Sequence, residues 1–199
     1  MARSRTQGRR AAPARPAAPR APSGGPGGAA TPVPSLASAT LPRVWQGIGY
    51  RPLPDASPAR PLFDFAAVPW PARGPAAFTW GAFAAGDGGE RLVGTVVGEA
   101  GDDALMLHGP VVRAEEAAAG GDALEMAAQL VAAALDHAAA MGARTVFARP
   151  QGLDRVWVRF GFIPVPESTL PAALAGGAAT GLYAWRGGSA LWTLRETAG

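Results

Sequence analysis

The sequence contains no cysteine and no lysine. Without cysteine the chain can form neither a disulfide, nor a thiolate nucleophile, nor a cysteine-ligated metal site. Without lysine it cannot complete the phosphate-binding loop that ends in Gly-Lys-Ser/Thr, and it also lacks a Gly-x-Ser-x-Gly nucleophile elbow. These absences are compatible with a reducing cytoplasm, which is the location we predict.

Long apolar runs are missing as well. No segment approaches the roughly 20 apolar residues that a bilayer-spanning helix requires, so we predict a soluble protein without a membrane partner. The first five residues, Met-Ala-Arg-Ser-Arg, have no apolar stretch of the kind that a secretory signal needs. An arginine-rich, acid-free start also suits an organelle transit peptide, although frequent prolines oppose the amphipathic helix that many such peptides form.

Acidic residues are absent from the first 42 positions, which hold six of the 18 arginines. The remainder has 12 arginines against 15 acids, a net charge of −3, so the folded part offers no basis for nucleic-acid binding. Residues 1–40 are predicted to be disordered because they cannot bury enough apolar surface. Their arginines suit either a solvated extension or an electrostatic arm for nucleic acid or an anionic surface, and nucleic-acid binding through this arm is the weaker alternative. Residues 41–199 are predicted to form one domain.

Residues 41–113 contain short apolar runs and no long helix pattern. Recurring prolines in the first part leave room for a short strand around Trp45–Arg51 and one helical turn near Leu62–Ala67. Pro110 predicts a bulge or a break in strand pairing. Three strand-like runs, separated by turns rich in glycine and aspartate, predict an antiparallel meander: Phe78–Ala84, Arg91–Glu99 and Ala104–Arg113.

The clearest helix runs from Asp122 to Met141. Asp122 with Glu125 forms an acidic variant of the capping box, and Gly142 is the expected stop. His137 is predicted to lie on the surface of this helix. Apolar residues recur on one face at helical spacing: Leu124, Ala127, Leu130, Val131, Ala134, Leu135, Ala138 and Met141.

After this helix the chain alternates between short elements. Strand Thr145–Arg149 and helix Leu153–Phe160 follow through tight turns, and the helix ends at Gly161. A strand, helix, strand succession is a crossover, so part of the sheet is predicted to be parallel. A proline-rich loop and a hairpin complete the pattern: Ile163–Gly177, then Gly181–Trp185 with Ala190–Arg195. The predicted fold class is α/β (α+β), a mixed and mostly antiparallel sheet with a central parallel strand pair and flanking helices.

This order of elements resembles the GNAT family of acyl-CoA-dependent N-acetyltransferases. The resemblance covers roughly Phe78 to Arg195, and its most telling strings are Ala-Arg-Thr-Val-Phe-Ala at 143–148 and Val-Trp-Val-Arg-Phe-Gly-Phe at 156–162. It implies that the strands before and after the long helix splay apart, that acyl-CoA pantetheine lies in the gap, and that pyrophosphate sits on the helix amino terminus. The residues that it implies in binding acetyl-CoA, the co-substrate, are Val111, Val112, Arg113, Gly120, Gly121 and Arg149.

Two family features are replaced in this sequence. The pyrophosphate loop R/Q-x-x-G-x-G/A survives only as Gly120-Gly121, and Asp122 and Glu125 stand where their charges would repel phosphate. Trp157 occupies the position of a tyrosine whose phenol protonates the departing CoA thiolate, and an indole N–H cannot deliver that proton. The same residues also suit an ordinary acid-capped helix and a core tryptophan.

The general base for an acceptor amine is expected on the meander, where Glu99 and His108 are the candidates. The alternative is that His108 is structural and that Glu99 is solvated at a strand end. His108 and His137 do not have a metal-ligand spacing, so no metal site is predicted.

Two functions follow from the resemblance. The first is acyl-CoA-dependent N-acyl transfer, most simply acetyl transfer from acetyl-CoA to a small-molecule or peptide amine. The second is a degenerate member of the family that serves as a small-molecule sensor or protein-interaction module, since a fold does not secure a function. The loop Ile163–Gly177 is expected to shape either an acceptor pocket or a homodimer contact.

Overall fold

The computed structural model describes residues 35–71, 76–113, 122–175 and 190–194. Within these ranges the helices are α1 Leu36–Ala39, α2 Arg60–Phe65, α3 Ala123–Ala140 and α4 Asp154–Arg159. The strands are β1 Arg43–Trp45, β2 Ile48–Pro52, β3 Phe78–Gly86, β4 Gly89–Gly101, β5 Ala104–Val112, β6 Thr145–Ala148, β7 Phe162–Pro164 and β8 Trp192–Leu194. Short 3₁₀ turns occupy Ser57–Ala59 and Glu167–Thr169. None of the described helices has the length and apolar character needed to span a membrane.

Most of the predicted tail, residues 1–34, lies outside the described residues. The last part of the predicted tail forms α1, which begins with the Ser35 hydroxyl accepting a hydrogen bond from the backbone N–H of Ser38 at 3.3 Å. Ala39 in this helix is buried. Regular structure is therefore already present a few residues before position 41, the predicted domain boundary.

The described strands form one sheet in the order β1-β2-β3-β4-β5-β6-β8-β7. Strands β1 to β5 are antiparallel neighbours, which confirms the predicted meander and extends it by one hairpin. Strands β5 and β6 are parallel, which confirms the predicted central pair. Strand β8 lies between β6 and β7 and is antiparallel to both. The predicted fold class, a mixed and mostly antiparallel sheet with flanking helices, is confirmed.

The prediction of a single strand at Trp45–Arg51 is wrong, because this segment is a hairpin. Gln46 and Gly47 form its two-residue turn with φ angles of 48° and 78°. Two consecutive positive φ angles match the type I′ turn that joins closely paired antiparallel strands, and glycine adopts this conformation without strain. The helical turn expected near Leu62–Ala67 is α2, which begins two residues earlier.

Helix α3 has the ends that its sequence predicts. The Asp122 carboxylate accepts a hydrogen bond from the backbone N–H of Leu124 at 2.9 Å, and Gly142 follows the last turn with φ of 81°. Glu125 does not complete a reciprocal capping box, because its carboxylate binds Arg159 and Gln129 instead. The predicted apolar face is buried along most of its length: Ala127, Leu130, Val131, Ala134 and Ala138.

His137, predicted to lie on the surface, is buried at 8% relative exposure. Its Nδ1 accepts a hydrogen bond from the indole N–H of Trp80 at 3.1 Å, and its ring stacks on Phe78 with 4.4 Å between centroids. The surface prediction is wrong because the side chain faces the sheet under α3, where β3 supplies both an apolar ring and a polar partner. Burial lowers the pKa of His137 below its ordinary value.

The sheet separates two packed layers. Helices α3 and α4 cover one face, toward which alternate residues of β5 and β6 point, such as Leu105 and Val146. On the opposite face, α2 and the segment after β7 pack against the intervening residues. Two hydrophobic clusters form on this face, and the larger one holds Ala104, Met106, Phe147, Leu170, Leu174 and Leu191.

The predicted loop Ile163–Gly177 starts inside a strand, because β7 includes Ile163 and pairs with β8. Of the predicted terminal hairpin, Gly181–Trp185 lies outside the described residues, and Ala190–Arg195 contributes β8. The described part of the chain after β7 therefore adds one strand to the sheet and a cover to the face opposite α3.

Candidate active site

Strand β5 loses its β6 partner halfway along its length. Pairing with β6 ends at Leu107, opposite Ala148, whereas β5 continues to Val112. At Gly109-Pro110, whose peptide bond is cis, the register with β4 also shifts. The bulge or break predicted at Pro110 is confirmed. Two cavities open where β5 and the chain after β6 part.

His108 and Glu99, the two candidate catalytic residues, form a pair across β5 and β4. The His108 Nε2 lies 2.8 Å from a Glu99 carboxylate oxygen, and the two side chains are 13% and 9% exposed. The alternative that Glu99 is solvated at a strand end is wrong, because the residue is buried at 7% relative exposure. A carboxylate can only accept, so His108 donates from Nε2 when Glu99 is ionised, which leaves Nδ1 able to take a proton.

This pair lines a small cavity on the face opposite α3, which we call the His108 cavity. Its volume is about 30 Å³. Its polar wall consists of the Glu99 and His108 pair with Arg149 and Gln151, and its apolar cover includes Leu170 and Leu174 from the segment after β7.

Arg149, predicted to bind the acyl-CoA phosphates, lines the His108 cavity. Its side chain is 7% exposed, and its guanidinium donates to both Glu167 carboxylate oxygens at 2.6 and 2.8 Å. These hydrogen bonds from Arg149 hold the pKa of Glu167 below its ordinary value. Glu167 itself is half exposed. The pair therefore joins a buried cation at the end of β6 to a carboxylate carried by a surface segment.

The second cavity, which we call the slot, has a volume of about 240 Å³ and lies between the end of β5 and the start of α3. Val111 and Val112, two of the residues predicted to bind acetyl-CoA, line it together with Pro110. Helix α3 contributes Ala123, Leu124 and Ala127. Its lining is mostly aliphatic, which suits an apolar chain more than a charged group.

Gln151 lines both cavities. It lies in the turn after β6 with a positive φ of 49°, which is uncommon for a residue other than glycine. Gly109 in the His108 cavity is next in the chain to Pro110 in the slot. The two cavities therefore adjoin at the point where β5 and β6 separate.

The start of α3 carries negative charge beside the slot. The carboxylate of Asp122 accepts a hydrogen bond from the backbone N–H of Leu124, so this N–H group is not available to an anion. Glu125 accepts a hydrogen bond from Arg159 at 2.7 Å, and this bond holds the pKa of Glu125 below its ordinary value, so its charge is retained. Arg159 offsets part of that charge. An anion approaching the helix start would meet one capped N–H group and two carboxylates.

Trp157 is fully buried and packs edge to face on Phe162. Its Nε1 is the one buried side-chain nitrogen or oxygen in the described ranges without a hydrogen-bond partner. Tyr50, the described tyrosine, lies in the core and lines neither cavity, and burial, followed by the charge of Glu125, raises its pKa to about 12. The interpretation of Trp157 as a core residue agrees with its position.

Of the three remaining predicted site residues, the structure describes Arg113. Arg113 lies at the end of β5 with an exposed side chain, and its backbone N–H donates to Val93 at 2.8 Å. Gly120 and Gly121 lie outside the described residues. Sequence reasoning missed Gln151 and Glu167. The positive φ of Gln151 follows from a tight turn next to Gly152, whereas no sequence signal joins Glu167 to an arginine 18 residues earlier.

No protein-family model and no curated protein matches the sequence. Solved structures do match. N-acetylglutamate synthase from Neisseria gonorrhoeae, complexed with coenzyme A and L-arginine, is 14% identical and aligns over 76% of this chain with a TM-score of 0.52. The same enzyme complexed with coenzyme A and N-acetyl-glutamate is 16% identical over 77% of this chain, with a TM-score of 0.49.

This chain spans about a third of that enzyme, 34% and 35% in the two structures. At such low identity, the likeness concerns the fold alone. The meander, the parallel β5 and β6 pair, the bulge that splays β5 and the α3 crossover agree with that likeness. The chain has a GNAT-like fold.

Proposed function

We propose that this protein transfers an acyl group, in the first instance acetyl, from an acyl-CoA to the nitrogen of a small-molecule or peptide amine. The observation that supports this proposal most directly is that the His108 cavity and the slot adjoin at Gln151. A thioester at the inner end of the slot and an amine beside His108 would then be neighbours. Holding two reactants side by side supplies much of the rate acceleration of such reactions.

His108 is the proposed general base. Its Nδ1 takes a proton from the acceptor amine, the amine nitrogen bonds to the thioester carbonyl carbon, and the carbon–sulfur bond breaks. The CoA thiolate then takes a proton, either from His108 or from water, and His108 returns to its starting state. Glu99, bound to Nε2 at 2.8 Å, orients the ring and stabilises its charge while it carries the proton.

The slot is the proposed acyl-CoA site. Its aliphatic wall at Val111 and Val112 suits the pantetheine chain. Past Leu107 the edge of β5 has no β6 partner among the described residues, so its backbone N–H groups are candidates for polarising the thioester oxygen. The proposed phosphate contacts, before the start of α3 in the chain, are Arg113, Gly120 and Gly121.

The proposal is tested by titrating the full chain with acetyl-CoA in a calorimeter and then following release of the CoA thiol with a panel of amines. We expect saturable binding well below millimolar ligand and thiol release that depends on the amine. Undetectable binding at millimolar acetyl-CoA would contradict the proposal.

The acidic start of α3 supports a second candidate, a GNAT-like domain that binds a small molecule or a protein without acyl transfer. Asp122 and Glu125 oppose an anion where the family places pyrophosphate. The same experiment separates the candidates, because binding of acetyl-CoA without thiol release from any amine favours the second.

A further inference from the structure

The two edges of the described sheet differ in how they are protected against pairing with another strand. At one edge, β7 ends in Pro164 and Pro166 follows shortly after it. Proline cannot donate a ladder hydrogen bond and commonly protects an edge strand. At the other edge, β1 consists of Arg43, Val44 and Trp45 and contains no proline. The β1 edge is therefore the one that can accept a further strand.

The hairpin determines which backbone groups of β1 face outward. Trp45 and Ile48 flank its two-residue turn, so they exchange the hydrogen bonds that close it. Hydrogen-bonded and non-hydrogen-bonded pairs alternate along an antiparallel ladder, so the pair of Val44 with Gly49 is non-hydrogen-bonded. The N–H and C=O groups of Val44 therefore point away from β2, toward a side on which β1 has no partner among the described strands.

Exposed apolar side chains accompany this edge. Val44 is 77% exposed and Trp45 is 47% exposed. Leu36 and Leu41, in the segment that leads into β1, are exposed as well. Large apolar side chains that share one edge with unpaired backbone groups indicate a surface for another strand.

The sequence of β1 is complementary to itself in the antiparallel direction. If two copies pair about a two-fold axis at Val44, the two Val44 residues lie opposite each other and exchange their outward hydrogen bonds. The same register places Arg43 of each copy opposite Trp45 of the other, which pairs a cation with an aromatic ring. Arg43 is already held over the sheet, because its guanidinium lies 5.8 Å from the Trp80 ring centroid and donates to Asp136 at 2.7 Å. Its charge is therefore directed toward α3 and does not protect the edge.

We propose that β1 is an interface with a second copy of this chain, in which the two β1 strands pair antiparallel about Val44 and join the two sheets into one. Because only three residues of each copy pair, the contact is small, and we expect a dimer that forms reversibly at high protein concentration. Three strands separate β1 from β5, so the interface does not depend on the proposed function.

Sedimentation velocity of the full chain, at concentrations from about 1 to 300 μM, measures the association. We expect the weight-average mass to rise from one chain toward two and to stop there, because a two-fold contact is closed. The mass of one chain at every concentration would overturn the proposal, and so would growth beyond two chains.

Charged substitutions at Val44 test the register. Val44→Lys and Val44→Glu each place like charges opposite one another in a two-fold pair, so each variant alone should associate about tenfold or more weakly than the unaltered protein. An equimolar mixture places opposite charges together, so it should associate several-fold more tightly than either variant alone. A mixture that associates no better than the separate variants would overturn pairing about Val44.

Two further comparisons separate strand pairing from general surface effects. Val44→Pro removes the outward N–H without removing a donor to β2, so it should also weaken association several-fold. Val158→Lys and Val158→Glu are the matched controls, because Val158 is exposed on α4, and they should leave association unchanged. Circular dichroism confirms folding of each variant. Unchanged association in the folded Val44→Pro variant, or equal losses in the Val158 and Val44 variants, would contradict strand pairing at β1.

Discussion

The His108 cavity and the slot adjoin at Gln151, but the side chains that line them differ in polarity. The cavity holds paired polar side chains, namely His108 with Glu99 and Arg149 with Glu167. The slot has a mostly aliphatic lining, in which Gln151 is the polar residue. Under the proposed function, side-chain chemistry belongs to the cavity, whereas the slot depends on its shape and on backbone donors. Changes in the two regions should therefore affect different steps.

The largest effect is expected from His108→Ala. Loss of the general base should lower kcat for amine acylation by about 100-fold to 1,000-fold while leaving acetyl-CoA affinity within about twofold, because the ring lines the cavity and not the slot. Steady-state kinetics and calorimetry on the same preparation measure both quantities. The matched control is His137→Gln, which alters the buried histidine of the core. A loss of acetyl-CoA binding in proportion to kcat would show that the two regions are not separate.

The converse effect is expected from Val112→Trp. Val112 lines the slot, so a larger ring there should raise the Kd for acetyl-CoA about tenfold or more by filling the space proposed for pantetheine. Val158→Trp is the control, because Val158 is 59% exposed on α4 and lines neither cavity. Unchanged acetyl-CoA affinity in the folded Val112→Trp variant would place the ligand elsewhere.

The buried His137 gives a third prediction, which concerns how the free energy of unfolding depends on pH. Burial holds the pKa of His137 below the value of about 6.5 that it has in the unfolded chain. As the pH falls below about 6.5, His137 is protonated in the unfolded chain but not yet in the folded protein. The contribution of neutral His137 to the free energy of unfolding is therefore fully present above this pH and is lost as the pH falls toward the folded-state pKa. The loss amounts to about 1.4 kcal/mol for each unit by which the two pKa values differ.

Urea unfolding between about pH 5 and pH 7.5 measures this loss. In the His137→Gln variant an amide oxygen can still accept from Trp80 but cannot titrate in this range, so its stability should vary less with pH than that of the unaltered protein. Identical pH profiles for the two proteins would contradict the assignment of the loss to His137.

The smallest effect is expected at the start of α3. Asp122→Asn keeps a helix cap but removes one negative charge beside the slot, so acetyl-CoA should bind about twofold to fivefold more tightly at low salt, with little change in stability. Asp154→Asn, which removes an acid at the start of α4, is the control. If Asp122→Asn left affinity unchanged while Asp154→Asn increased it, the proposed phosphate position would be wrong.

Much of the fold could be predicted because it is encoded locally. Alternating apolar residues and glycine-rich turns mark β3 to β5, and helical periodicity with Asp122 and Gly142 at the ends marks α3. The same holds for the bulge, since Pro110 cannot donate a ladder hydrogen bond. These features depend on residues close together in the chain.

The rest depended on contacts between distant residues. The burial of His137 follows from Trp80 and Phe78, which lie more than 50 positions earlier. Glu99 and His108 could be named as candidates one by one, but their pairing required the register of β4 against β5. Arg149 could not be assigned to the cavity from sequence, because its partner Glu167 has no motif. The sequence could therefore name candidate site residues one by one, but it could not indicate which cavity each one faces.

The central claim is that one reaction uses both regions, and a structure of the full chain with acetyl-CoA tests it most directly. The account predicts pantetheine in the slot between the splayed ends of β5 and β6, with the thioester beside Gln151 and facing His108. Acetyl-CoA bound outside the slot, or bound there with its thioester turned away from His108, would contradict it.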